Sequence, residues 1–526
     1  MTRDINWAEE AEVVVVGFGG AGAVAAIAAA DAGAGSVLIM EKSPADTPTC
    51  TNHTPSTRMS GGGFLCPEDA ERTLQYLLGL RRIANEPADS DEEAILRVMA
   101  ERMVRNARWM ESIGGVIGGK ESQSPTFALS DLKVKHVGKA SATYDADFPE
   151  LPGSDAMRVM WMANSAEYRH GAAFFKTLSD AVEKRGLRVL WATPAKHLVV
   201  EDGGVRGVIG IRDSQAVAVK ATRGVVLACG GFEYNDFLKR NYLRPLPVEF
   251  TGNPGNTGDG INMALEVGAA LWHMNSISFR VTMKFPQVPV AFSTQYHSQA
   301  SIFVDKRGNR FSNEKFKGHA FGYELAGYDA YALCYPRIPC YWIFDEKRRR
   351  LGPLASRHGA CNPPRGIKGP THYIWSEDNS AEIEKGWIWR AATIEDLGRI
   401  IAADPDNNGL MDVSNLIATV DRYNRFCHTG TDLDFHRPQA GLAPLVDPPF
   451  YAVKLWPGGP NTQGGPLRNI RCQVLRPDKT PIPRLYAAGE LGSFFGMLYN
   501  GGGNLGEIIA MASLAGENVA REELWN

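Results

Sequence analysis

No pair among the eight cysteines has the spacing of a CxxC or CxxxxC redox motif, and no CxxCH haem-attachment site occurs. That excludes a dithiol–disulfide reductase and a c-type haem protein, and the scattered thiols fit a reducing, cytoplasmic setting. There is no basic tract, and the formal net charge is −3, so a nucleic-acid partner is not expected. No metal-ligand or cluster motif, internal repeat or low-complexity segment stands out, and no metal site is expected. One run without charge, Val13 to Ala30, has the length of a membrane span, but Gly17, Gly19, Gly20 and Gly22 interrupt it. Glu9, Glu10 and Glu12 precede it, where a signal peptide would carry basic residues. The run reads as strand, turn and helix, and no integral membrane segment is expected.

What the chain has in plenty is glycine: 55 of 526 residues, many in short runs, which suggests backbone packed closely on a ligand. The length calls for two domains, or for one large domain with an insertion. Composition is globular, with 44% apolar and 22% charged residues and a mean hydropathy of −0.22. Val13–Val16 predicts a strand buried on both faces. An Ala-rich helix runs to Asp31, stopped by Gly33 and Gly35, and Ser36–Met40 predicts a second strand. Glu68–Ile113 reads mostly helical, Ser122–Gly153 irregular, and Phe174–Arg185 helical by periodicity. Val189–Trp191, Ala195–Val200, Val205–Ile211 and Gly224–Ala228 predict strands. After Leu271 the composition turns to aromatics, Arg, Pro and short turns until about Gly441. Strand patterns resume at Phe450–Leu455 and Arg484–Ala488, and Leu505–Arg521 predicts a last helix.

Gly17-Phe18-Gly19-Gly20-Ala21-Gly22 has the GxGxxG spacing of a dinucleotide-binding turn. Gly17 allows the tight turn, Gly19 lets backbone approach a pyrophosphate, and Gly22 lets helix and strand pack closely. The helix N-terminus offers N–H groups and a positive dipole end to the phosphates. Glu41 stands 19 residues after Gly22 at the end of the second strand, where an acid can bind ribose hydroxyls. The motif by itself does not separate FAD from NAD.

Further motifs follow in order: Ser60-Gly61-Gly62-Gly63, VVLACGG at Val225–Gly231, TGDGINMALEVGAAL at Thr257–Leu271, RGNRFSNE at Arg307–Glu314, YNRFCHTGTDLDFHR at Tyr423–Arg437, PFYAVKL at Pro449–Leu455 and LYAAGE at Leu485–Glu490. On these, over nearly the whole length, the chain resembles the fumarate reductase and succinate dehydrogenase flavoprotein family, and most of all its 3-ketosteroid dehydrogenase branch. The resemblance implies a Rossmann-like α/β FAD-binding domain built from both chain ends, residues 1–271 and 441–526. It implies an inserted α+β capping domain over residues 272–440. It implies that Gly17, Gly19, Gly22, Glu41, Ser60, Gly61, Gly62, Asp259, Glu490 and Leu505 lie near FAD, with Gly20, Ala21, Lys42 and Asn504 beside them. The FAD is expected to be non-covalent. In membrane succinate dehydrogenases a loop His carries it, but His53 stands out of register for that role.

Dicarboxylate reductases of this family hold substrate with an Arg and a His. The corresponding positions here are Asn500, ahead of Gly502-Gly503-Asn504, and Asn461, ahead of Thr462-Gln463-Gly464-Gly465. A dianion would lose two charge-assisted contacts, each worth about 1.5–3 kcal/mol. Ketosteroid dehydrogenases instead polarise the ketone with a Tyr hydroxyl and the N–H of a Gly four residues on, and Tyr499 and Gly503 have that spacing. The expectation is an FAD-dependent oxidoreductase acting on a C–C bond beside a ketone of a bulky, mostly apolar small molecule, exchanging electrons with an external acceptor or donor. The family's cap Tyr base is absent from its position, and His319 and Tyr323 are the substitutes nearby. Tyr328, Tyr331, Tyr335, Tyr341, Trp342 and Phe344 line a pocket or fill the cap core. Two other readings stay open: a reductase of unsaturated carboxylates using Arg310, Arg337 or Arg349, and a flavin subunit of an electron-transfer complex. A monooxygenase would want a second nucleotide fingerprint, which does not stand out.

Overall fold

A computed structural model of the chain describes residues 5–47, 50–118, 146–294, 300–314, 318–355 and 373–525. The elements that position the site are, in chain order, β1 (Trp7–Val16), α1 (Gly20–Asp31), β2 (Val37–Met40), β3 (Arg188–Leu190), β4 (Gln215–Leu227) and α2 (Asp259–Glu266). They continue with β5 (Arg280–Met283), β6 (Cys340–Asp345), β7 (Phe450–Gly459), β8 (Pro481–Ala487) and α3 (Gly503–Glu507).

β1 runs parallel between β2 and β4, with Val15 opposite both Ile39 and Val226. Side chains alternate along a strand, so Val13 and Val15 enter the core that holds α1, while Val14 and Val16 enter a second core on the other face. Burial on both faces is why the run is apolar without a break. The eight-stranded sheet has the order Gln473–Leu475, β8, β4, β1, β2, β3, and the hairpin Ala195–Glu201/Gly204–Arg212 adds to β4. β8 lies parallel to β4, with Leu485 opposite Val225, so both ends of the chain build one sheet.

The sequence understated two strands. β1 starts at Trp7; its Glu9 pairs with Arg188 at the start of β3, and Glu10 and Glu12 pair with Lys220 and Arg223 on the neighbouring β4. β4 was expected only as Gly224–Ala228, yet it spans 13 residues. Its first part pairs antiparallel with Gly204–Arg212 and its last part parallel with β1; Lys220 and Arg223 hid that continuity. The expected helical stretch is Ala70–Ile83, Ser90–Met103 and Asn106–Ser112, and the next helix is His170–Lys184. The last helix runs from α3 through a π turn at Ile508–Ala512 to Ser513–Ala520.

A seven-stranded sheet has the order Phe292–Ser293, β5, β7, β6, Ser301–Val304, and β7 also pairs with Trp389–Ala391 and Glu249–Phe250. β7 was expected with the nucleotide-binding part at 441–526. In the structure it is the central strand of this second sheet, which Glu249–Phe250 also joins. An apolar strand pattern reports burial, not which sheet supplies it. Tyr341, Trp342 and Phe344 on β6 are buried in the two cores that flank this sheet, while Tyr328 and Tyr331 are exposed. Cys361, Lys315-Phe316-Lys317 and most of Ser122–Gly153 lie outside the described residues. Among the described residues no helix is long and apolar enough to cross a membrane, and no group of three or more His, Cys, Asp or Glu is placed to hold a metal ion.

Candidate active site

The turn from β1 to α1 demands glycine. Gly17 has φ +102°, and a Cβ there would lie 2.4 Å from the Ala228 carbonyl oxygen. A Cβ on Gly22 would lie 1.8 Å from the Gly17 carbonyl oxygen. No side chain caps the start of α1 at Gly19, although Gly20 N–H donates to Thr57 Oγ1 at 3.1 Å. This is a helix start laid open to a phosphate.

Glu41 accepts N–H bonds from Phe18 and Ser43, both at 2.7 Å. Burial pushes its pKa up, but His53 (Nε2 at 3.7 Å) and those two N–H groups outweigh that and hold it at about 2. His53 stacks on Phe18 at 5.5 Å and meets Phe175 and Trp191 edge-on, so it sits beside the acid expected at the ribose. Lys42 pairs with Asp259 at 2.7 Å, which ties the end of β2 to the start of α2.

Glu490 is brought to the cradle by Gly489, whose φ is +79° and whose Cβ would meet Ala21 Cβ at 2.7 Å. Its Oε1 accepts from Gly231 N–H at 2.9 Å and from Asn256 Nδ2 at 2.7 Å. Burial raises it to about 7 against the pull of those two donors. Glu233, buried against the same Asn256, is raised by burial and by the Glu490 charge. Glu233 was missed in the sequence although it closely follows VVLACGG, and Asn256, the residue just ahead of TGDG, was not assigned a role. Ser60 Oγ accepts from Gly62 N–H at 3.1 Å, and the loop runs on to Leu65, whose N–H donates to Gly502 O at 3.0 Å. Gly61 lies between these anchors. The loop from Ser60 thus joins the sugar end of the cradle to the start of α3, where no side chain caps Gly502. An uncapped helix start there suits the negative charge of a reduced flavin.

Arg468 holds the connecting loop. Fully buried, it donates to the carbonyl oxygens of Ala487, Gly489 and Gly492 and pairs with Glu507 at 2.9 Å. Arg468→Met strands the Glu507 charge, and the expected loss is about 3–5 kcal/mol in urea unfolding. A change within error would show that the loop needs no such clamp.

Tyr499 is buried, with its ring edge-on to His319 at 4.7 Å and to Phe495 at 5.3 Å. Burial raises its pKa, so it stays a protonated donor. Its oxygen accepts the N–H of Asn504 at 3.2 Å. Gly503 was expected to aim its N–H at substrate, but that N–H donates to Asn500 O at 2.9 Å inside its own turn. The glycine serves another need: a Cβ there would lie 2.6 Å from the Phe495 ring and 2.9 Å from that of Tyr499. Leu505 is buried in the following turn, and Asn504 Oδ1 is buried with no hydrogen-bond partner among the described residues.

Asn500 was expected at the substrate. Its Oδ1 instead accepts from Tyr76 OH at 2.5 Å and Asp147 N–H at 2.8 Å, and its Nδ2 donates to Gly501 O. It ties distant segments together. Asn461 is also turned inward, with Nδ2 donating to Thr462 O at 2.8 Å. Tyr323 donates its hydroxyl to Met497 O at 3.0 Å and packs edge-on to Phe279, which leaves it poorly placed as a base. His319 differs. It hydrogen-bonds the Ser278 carbonyl, and its buried Nδ1 has no partner among the described residues. A ring that donates through Nε2 carries a bare lone pair on Nδ1. Burial, then the charge of Arg280, holds its pKa well below 6.5, so the ring is neutral.

Arg280 was not singled out in the sequence. A lone Arg in the stretch Ile277–Met283 was the available signal. It opens β5, and its charge acts on Tyr499, His319 and Asp147. Asp147 was missed too; it accepts the N–H groups of Gly501, at 2.9 Å, and of His319. Arg310, Arg337 and Arg349 are elsewhere. Arg310 is buried between Glu314 and Asp432, Arg337 pairs with Glu324, and Arg349 pairs with Glu346.

The FAD binding domain family matches residues 12–505. The 3-oxosteroid 1-dehydrogenase of Mycolicibacterium smegmatis is 31% identical over 382 residues, covering 66% of this chain and 62% of that protein. The 4-oxocyclohexanecarboxylate 2-dehydrogenase of Sinomonas cyclohexanicum is 30% identical over 366 residues, covering 65% and 57%. The chain therefore matches less than two thirds of the length of these curated relatives. The crystal structure of 3-ketosteroid delta1-dehydrogenase from Sterolibacterium denitrificans, in complex with 1,4-androstadiene-3,17-dione, shares the fold with a TM-score of 0.78. Identity there is 22%, over 97% of this chain and 99% of that one. An open glycine turn, a buried acid at the end of the next strand and a match over nearly the whole length agree: the chain belongs to the FAD-binding domain family, and FAD is its cofactor.

Proposed function

We propose that the chain is an FAD-dependent oxidoreductase that introduces or reduces a C=C bond next to the ketone of a bulky, mostly apolar ring substrate. The Tyr499 hydroxyl carries this reading. Asn504 N–H occupies its oxygen, so its own proton is left to give, and its ring is buried edge-on to His319. A donor chain of this kind polarises along its length and suits an oxygen that gains negative charge. FAD, when bound, supplies the acceptor or source of the β-hydride. Tyr499 donates to the ketone oxygen, which acidifies the α-carbon, and His319 Nδ1 takes the α-proton; enone reduction runs these steps backwards. The relatives named for 3-oxosteroids and for 4-oxocyclohexanecarboxylate are named for ring ketones, which supports the reading. The FAD is non-covalent, His53 being enclosed by aromatic rings beside Glu41, and electrons pass to or from an external carrier. Anaerobic bleaching of the flavin by ketosteroids and cyclic ketones, but not by enoates that lack a ketone, is the expected result. Bleaching by enoates alone overturns the reading.

The pH dependence follows from His319. The group must be neutral to accept a proton, and its pKa lies well below 6.5. The rate of flavin reduction by a neutral ketone is therefore expected to be flat on His319's account above pH 6.5 and to fall only on the acid side. Arg280→Met removes a cation that opposes protonation, so it moves the acid limb to higher pH. Stopped-flow reduction across pH reads both; an unshifted limb in the variant shows that His319 is not the acceptor.

A further inference from the structure

Asp147 is bonded to the backbone beside both residues that the proposed chemistry needs. Its own N–H donates to Asn500 Oδ1 at 2.8 Å, and its Oδ2 accepts the N–H of Gly501 at 2.9 Å. Those two bonds grip the turn that leads from Tyr499 to α3, which the Gly503 N–H closes on Asn500 O. Tyr76 OH donates to the same Asn500 oxygen at 2.5 Å and accepts the N–H of Phe148 at 3.3 Å. The Asp147–Phe148 segment and the turn are thus stitched to the helix Ala70–Ile83 as well as to each other. The carboxylate serves the other partner too, because it accepts the His319 N–H. Gly318, one residue earlier, comes so near that a Cβ on it would lie 2.8 Å from both Asp147 oxygens, and its φ of +37° favours glycine. A single side chain therefore holds the backbone on each side of the edge-on contact between the His319 and Tyr499 rings, 4.7 Å apart. A carboxylate can do this because it has two accepting oxygens.

The geometry points to Asp147 as a positioning residue of the active site: by holding the His319 and Gly501 backbones on one carboxylate, it sets the distance between the proton acceptor and the ketone donor. Donor and acceptor act on neighbouring atoms of one substrate, the ketone oxygen and the α-carbon, so a misplacement of about 1 Å costs up to about 100-fold in rate. Asp147 acts through those two side chains and not on the substrate itself. The kinetic part of its test rests on the ketone reading above, and the spectroscopic part does not.

The test uses the FAD-loaded enzyme and two variants that disturb the clamp from opposite sides. Asp147→Asn keeps the size but leaves one accepting oxygen where there were two. Gly318→Ala keeps the carboxylate and pushes it from its place. Each is expected to slow anaerobic flavin reduction by a cyclic ketone about 10- to 100-fold, with FAD content unchanged and ketone binding within about 3-fold. Binding is read from the perturbation of the oxidised flavin spectrum. The second measurement needs no turnover: the NMR signals of the His319 ring nitrogens, in oxidised enzyme made with isotope-labelled histidine and identified by their loss in His319→Gln, are expected to shift in both variants. A wild-type reduction rate in Asp147→Asn overturns the inference. So does a slowed rate that comes only with lost FAD or equally weakened ketone binding, because the residue then serves the fold, and so do unmoved His319 signals. A wild type that no ketone bleaches, with His319 signals that move in the variants, upholds the clamp and sinks the ketone chemistry, so the two failures are distinguishable.

Discussion

Tyr499→Phe is expected to slow reduction of bound FAD by a ketone about 100- to 1,000-fold while FAD content stays at the wild-type level. The substitution keeps the ring, and so keeps the edge-on contacts to His319 and Phe495. It removes one oxygen. That oxygen is the end of a chain running from Asn504 N–H through the Tyr499 hydroxyl to the substrate carbonyl. The loss falls on the transition state more than on the ground state, because the carbonyl gains most of its negative charge as the α-proton leaves. The rate constant for flavin reduction should therefore fall far more than substrate affinity. Gly503 N–H is taken by Asn500 O and does not stand ready to compensate. Wild-type-like reduction by a ketone in the Phe variant removes Tyr499 from the chemistry and with it the main support for the proposed function.

Gly22→Ala is expected to yield a protein purified without FAD. A Cβ at this position would lie 1.8 Å from Gly17 O and 3.4 Å from Val15 Cγ1. Backbone cannot give way there cheaply: Gly17 is held at φ +102° against Ala228 at the end of the neighbouring strand. The start of α1 must move off β1, and the free N–H groups there, which suit a pyrophosphate, move with it. Gly327→Ala is the control, since a Cβ there meets nothing within 4 Å. The ratio of flavin to protein absorbance after gel filtration reads both variants. Stoichiometric FAD in Gly22→Ala would show that the dinucleotide does not lie on this turn.

The cradle was legible because its parts are near each other in sequence. Gly17, Gly22 and Glu41 belong to one strand–helix–strand unit, and the constraint on each glycine is set within a few residues of backbone. Tyr499 and Gly503 were legible as a spacing, but the spacing said nothing of what Gly503 N–H would bond, and it bonds its own turn. Asn500 reads as a substrate residue only until Tyr76 and Asp147, hundreds of residues away, are seen to claim its oxygen. The second sheet shows the same limit. Phe450–Leu455 announced a buried strand, and only pairing with Cys340–Asp345 and Arg280–Met283 decided which core it entered.

The amino-acid sequence alone thus determined that a dinucleotide is bound, pointed to the glycine turn and Glu41 as the groups to meet it, and put Asn at 461 and 500 where a dicarboxylate would need charge. The tertiary structure alone decided which groups face Tyr499. It set His319 edge-on to that ring, let the Arg280 charge act on it, gave Tyr323 and both asparagines other hydrogen-bond partners, and set Arg310, Arg337 and Arg349 into ion pairs. The reason is range. A glycine turn is specified by the sterics of adjacent residues, whereas a cation acts on whatever the packing of two sheets places within a few ångströms, and no local pattern records that.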